Sequence, residues 1–146
     1  MYDYFMSAIV FAVLAAIAFG FWTVFHKLAS VYIDQVFGAI VVSFTAVLAG
    51  LIVLLPKLKT TQLVQDQKGV YFLVLAGVMA FAIDFFALQA YSKGLTITVG
   101  GPIIIGGSIA VAALIGFILG DSVTVPKIVG LLLMIAGAIV LSITTN

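Results

Sequence analysis

Asp84 stands inside the apolar stretch "FAIDFFALQAY", residues 81–91, where a carboxylate can bind a proton or a cationic solute. An acid at the centre of a membrane helix costs about 2.5–3.5 kcal/mol on insertion scales, so one retained there needs compensation or a purpose. Two readings follow. Asp84 is a proton or substrate-cation site facing a central cavity, or it is a structural aspartate satisfied by a serine or threonine of another segment. A second group lies in "FWTVFHKLAS", residues 21–30. Phe19, Trp22, Thr23, His26 and Ser30 share one helical face there, continuing an alanine track from Ala12 and Ala15. His26 is of the type that titrates near physiological pH, and Lys27 beside it is a cation for an anionic head group. These residues form the wall of a polar cavity or an interfacial belt of Trp, His and Lys.

Both groups need helices to position them. The chain has 146 residues, 65% hydrophobic and only 8% charged, too little polar surface to clothe a soluble domain. Its apolar runs are each long enough to cross a bilayer. Five spans are expected, near 5–25, 36–55, 70–91, 97–119 and 126–144, in a single all-α membrane domain covering 1–146. The connections are too short for a soluble domain, so function must lie within the membrane. Asp34 suits an N-cap, Thr124 before Pro126 a helix start, and Gly120 a C-cap.

On the third span Gly77, Ala80, Ala87 and Tyr91 fall within about 60° of Asp84, while Phe85 and Phe86 point elsewhere. Small residues mark helix contacts in lipid, so Asp84 and Tyr91 are expected to face the bundle. Asp84 lies about 11 Å along the helix from Tyr91. On the fourth span, "TVGGPIII" places Pro102 after Gly100 and Gly101, so the helix should kink or start late. Interrupted, glycine-rich helices recur at solute-binding sites of membrane transporters, and Gly101 and Pro102 join the candidate site on that ground. Tight packing of a kinked helix would use the same residues. Gly130 and Gly137, seven apart on the fifth span, make a groove for another helix.

The six basic residues are all lysines and the five acids all aspartates, for a net charge of +1, which excludes a basic nucleic-acid patch. With the N-terminus inside, Lys57, Lys59, Lys68 and Lys127 are cytoplasmic and Lys27 and Lys93 are outside. So thin a bias permits insertion in both orientations. Cysteine is absent, and one histidine with no pair of in-membrane acids leaves few means for enzymatic chemistry. No nucleotide motif is present, and no metal or other cofactor is implied.

The stretches "ALQAYSKGLTITVGGPIII" and "ALIGFILGDSVTVPKIVGLLLMIAGAIVLS" resemble the C-terminal half of an EamA-type domain of the drug/metabolite transporter superfamily. Leu119, Gly120 and Asp121 match that family's leucine–glycine–acid signature, with aspartate in place of the usual glutamate. Trp22 and Lys27 match a tryptophan followed by a lysine at the end of its first helix. Typical members carry two five-helix repeats of opposite orientation, and this chain is similar to the short branch with one. The resemblance implies an inverted homodimer, with Gly130 and Gly137 at the contact as in the more distant small multidrug resistance proteins. Those proteins use a first-helix glutamate, and this chain has no glutamate.

The expected function is a small secondary transporter in the cell (cytoplasmic) membrane. It moves a small polar or amphipathic metabolite by alternating access between two inverted copies, with proton coupling through Asp84. The expected partners are a second copy, the lipid bilayer and the solute, and no nucleic acid. Alternatives are a flippase for lipid-linked sugars and a non-transporting membrane subunit or scaffold.

Overall fold

A computed structural model describes residues 2–58 and 63–143, with side chains from residue 9 onward. Five helices run in order, α1 (Tyr2–Ala29), α2 (Gln35–Leu54), α3 (Gln67–Ser92), α4 (Ile97–Ile118) and α5 (Val125–Ile143). A single 3-10 turn, Leu55–Lys57, carries Pro56 past the end of α2. All five helices are long and apolar enough to cross a membrane, and their outward faces carry large apolar side chains such as Phe86 and Ile118. Lys59, counted in the topology expectation, lies outside the described residues.

Local chemistry sets the ends. The Asp34 carboxylate accepts from the amides of Val36 and Phe37, both at 3.0 Å, and so satisfies two of the donors that open α2. Asp66 does the same for α3 through Lys68 N at 2.9 Å, which starts that helix three residues ahead of the expected span. α3 and α4 then end in the same motif. Gly94 (φ +99°) and Gly120 (φ +103°) adopt the left-handed conformation. Leu95 N and Asp121 N each reach back to a carbonyl five residues earlier, Ala90 O and Gly116 O. These are Schellman closures, in which glycine alone takes the positive φ without strain. α4 begins at Ile97, ahead of Pro102, so the proline does not delay the helix; it removes the donor that would meet the Thr98 carbonyl.

Short connections make two antiparallel hairpins, α2–α3 and α4–α5, and α1 packs against both α3 and α4. The described buried residues gather at one end of this assembly. They are Thr23, His26 and Ser30 near the end of α1, Gly38 and Ala39 at the start of α2, Asp84, Ala87, Leu88 and Tyr91 near the end of α3, and Val99, Gly100 and Gly101 at the start of α4. The inward face of α3 therefore begins at Asp84. Gly77 and Ala80, expected to share it, are exposed, and the hydrogen bonds from α1 reach α3 only nearer its C-terminal end, at Asp84 and Tyr91. α5 leans chiefly on α4 and buries no residue fully.

Candidate functional site

Trp22 and His26 lie four residues apart, so both side chains leave α1 on one face. Their rings are 3.9 Å apart and tilted by 36°, and Phe19 stacks on the indole from the preceding turn at 4.9 Å. His26 Nδ1 lies 2.9 Å from the backbone carbonyl of Trp22, which fixes the imidazole's rotation. Facing them from α3 is Asp84. Trp22 Nε1–H donates to Asp84 Oδ1 at 2.9 Å, and His26 Nε2 stands 3.1 Å from the same oxygen. The second contact has the distance of an ion pair, but Oδ1 lies off the axis of the ring N–H. His26 Nε2 is thus buried without an aligned hydrogen-bond partner among the described residues. Asp84 is 6% exposed and His26 3%. A buried carboxylate is tolerable only when paired and hydrogen-bonded, and here both needs are met from one neighbouring helix.

Two turns further along α3, Lys27 Nζ donates to the carbonyl of Tyr91 at 3.1 Å. That carbonyl also receives the Gly94 N–H of the Schellman closure, so a cation sits on the negative end of the α3 dipole. The Tyr91 ring is fully buried, and its hydroxyl has no hydrogen-bond partner among the described residues. Gly100 makes the ring's position possible: a Cβ there would fall 2.5 Å from Tyr91 Cε1 and 3.0 Å from the hydroxyl.

α1 separates two apolar cavities. One, of about 320 Å³, lies between α1 and α2, with Trp22 and His26 at its wall opposite Val41, Val42 and Thr45, and Leu88 and Gly38 closing it. Asp84 does not line it; the indole and imidazole stand between. The other, of about 500 Å³, is a groove of α1, α4 and α5 bordered by Thr23, Gly101, Pro102, Gly106, Met134 and Gly137. Thr23 Oγ1 is spent on the Phe19 carbonyl at 3.0 Å, and its methyl faces Gly101. The expected site residues are thus divided. Trp22, His26, Asp84, Lys27 and Tyr91 share the α1–α3 seam, while Thr23, Gly101 and Pro102 face the groove behind it. Consecutive residues of a helix point about 100° apart, which sends Trp22 and Thr23 to different cavities. Around Gly130 and Gly137 there is open space.

The α2 wall was not legible in the sequence, because α2 has no ionisable residue within it to draw notice. Its one signal is Gly38, four residues into the helix, where a Cβ would fall 2.7 Å from Leu88 Cδ1. Among the described residues no three His, Asp, Glu or Cys side chains gather as a metal site would require. The seam offers proton and cation chemistry: one imidazole and one indole N–H converge on a single carboxylate oxygen, inside a span.

A model of the EamA-like transporter family matches residues 6–143. An uncharacterized protein of Methanocaldococcus jannaschii is 32% identical over 138 residues, covering 94% of this chain and 98% of that protein. No solved structure matches the chain. The chain belongs to the EamA-like transporter family, and it is a multi-pass membrane protein of transporter type.

Proposed function

We propose that this member of the EamA-like transporter family is a small secondary transporter of the cell membrane. It works as an inverted homodimer and moves a small polar or amphipathic metabolite by alternating access. A proton exchanges at the Trp22–His26–Asp84 cluster as it does so. The observation that carries the reading is the carboxylate of Asp84, buried within a span and held by an indole and an imidazole from the adjacent helix. Ionisable groups inside membrane segments are costly and mark solute or proton pathways. The dimer reading draws support from the uncovered glycines of α5, Gly130 and Gly137, which leave a groove a second helix can enter. It also fits a family match carried by five helices.

The test is counterflow in proteoliposomes with a panel of labelled metabolites, with and without an imposed pH gradient. Gradient-driven accumulation by the wild type, lost in Asp84→Asn, supports the reading. Accumulation unchanged in Asp84→Asn removes the coupling role. The apolar lining of the α1–α2 cavity favours a second reading, movement of a lipid-linked solute, although Lys27 is already engaged by the Tyr91 carbonyl. A fluorescent-lipid scrambling assay on the same vesicles separates the two.

A further inference from the structure

We infer that His26 and Asp84 form a proton-binding site that holds one proton, and that the proton is taken up and released at Nε2 of His26. Asp84 acts there as the positioning residue. The inference deepens the proposed function, since it names the atom through which coupling would run. The site itself can be tested without transport.

The geometry leads there in three steps. A backbone carbonyl only accepts, so the 2.9 Å contact between His26 Nδ1 and Trp22 O requires a proton on Nδ1. With Nδ1–H fixed, Nε2 is the only ring atom whose protonation can change. Nε2 faces Asp84 Oδ1 at 3.1 Å. With no proton between them, a lone pair confronts a carboxylate oxygen at contact distance. With two, a protonated acid meets an imidazolium, and a net positive charge is buried in the seam. One proton leaves the pair neutral in either form. It is neutral imidazole with the acid O–H, or imidazolium with carboxylate, and passing the proton between Nε2 and the carboxyl group leaves the pair's net charge at zero. Trp22 Nε1–H donates to Oδ1 throughout, and so holds that oxygen in place.

The surroundings leave the pair to itself. From α3 the other titratable group of the seam is Tyr91, its hydroxyl turned to Gly100; from α1 it is Lys27, committed to the Tyr91 carbonyl. α2 contributes only Asp34 at its start, exposed and occupied by the amides of Val36 and Phe37, and α4 contributes no ionisable side chain. Access favours the imidazole. His26 lines the α1–α2 cavity and Asp84 does not. A solute or water in that cavity therefore meets the imidazole ring first, and Nε2 lies buried behind it toward Asp84 without an aligned partner among the described residues.

The chain has a single histidine, so histidine-selective 15N labelling gives one imidazole spectrum with no assignment problem. In lipid bilayers, across a pH titration, Nδ1 is expected to stay protonated at every pH while Nε2 alone moves. In Asp84→Asn the Nε2 signal is expected to lose its proton-sharing character while Nδ1 keeps its proton. A neutral ring with its proton on Nε2 and a bare Nδ1 would overturn the inference on the wild-type protein, independent of any variant's folding. An Nε2 signal unmoved by Asp84→Asn would overturn it as well. Absence of transport in vesicles with this spectrum intact would count against the proposed function and leave the proton site standing.

Discussion

The two ends of the bundle are built differently. Where α1 and α3 end and α2 and α4 begin, side chains interlock: Leu88 against Gly38, the Tyr91 ring against Gly100, Thr23 against Gly101, with the polar seam between. Toward the opposite end several glycines meet nothing, and Gly116 meets only the Asp121 side chain of its own helix end. A Cβ added at Gly50, Gly77 or Gly130 would find open space, while Gly137, equally open, borders the groove of Thr23 and Gly101 at the first end. A glycine in lipid is useful where another backbone approaches, so the first end is completed by this chain's own helices, and the open glycines of the second are where the proposed dimer would find room. One end gathers the buried polar side chains, and the other leaves several glycines uncovered.

That contrast can be broken or sharpened by substitution. The largest effect is expected from Asp84→Ala, which leaves a buried imidazole and indole N–H without their acceptor. Removing one partner of a buried pair costs about 3–5 kcal/mol, read as a lowered unfolding midpoint in detergent. Trp22→Phe keeps the stacking on Phe19 and removes one hydrogen bond to a charged group, about 1.5–3 kcal/mol in the same assay. Gly100→Ala overpacks a fully buried ring and is expected to cost about 1–3 kcal/mol. Gly38→Ala should cost less, because the atom it meets is the tip of a leucine that can turn aside. The smallest effect on the single chain is expected from Gly137→Ala and Gly77→Ala, within about 0.5 kcal/mol. If Gly77→Ala destabilised as much as Gly100→Ala, the division between the two ends would be lost. If the proposed dimer packs along α5, Gly130→Ile should leave helix content unchanged and lower the dimer fraction read by light scattering.

The sequence made the helices and several of their ends readable, because span length, Asp34 before α2 and Gly120 after α4 are local signals. The pairing of Trp22 and His26 was readable too, since residues four apart share a face. Their meeting with Asp84 was not. It joins residues 62 positions apart, and the register between α1 and α3 is set by how two helices cross, which spacing along either one does not encode. The inward direction of Asp84 could be read from Ala87 and Tyr91, but the same wheel also pointed Gly77 and Ala80 inward. A wheel has no depth: it gives the direction a residue faces, and the crossing point decides how far along the helix that face is covered. Thr23 reads onto the face of Trp22 and His26, whereas the rotation from Trp22 to Thr23 turns it to the other cavity, which Pro102 of α4 also borders.

The three contacts between α1 and α3, Trp22 to Asp84, His26 to Asp84 and Lys27 to the Tyr91 carbonyl, fall along about one and a half turns of α1. Mechanically they are rivets. Sliding α1 by one turn against α3 would shear all of them together, so these two helices travel as one beam. The beam meets α4 through a ring and a methyl group lying on glycine backbone, surfaces that can roll without a hydrogen bond being cut. In the proposed transport cycle, α1 and α3 would move together against α4, and a proton bound between His26 and Asp84 would move with them.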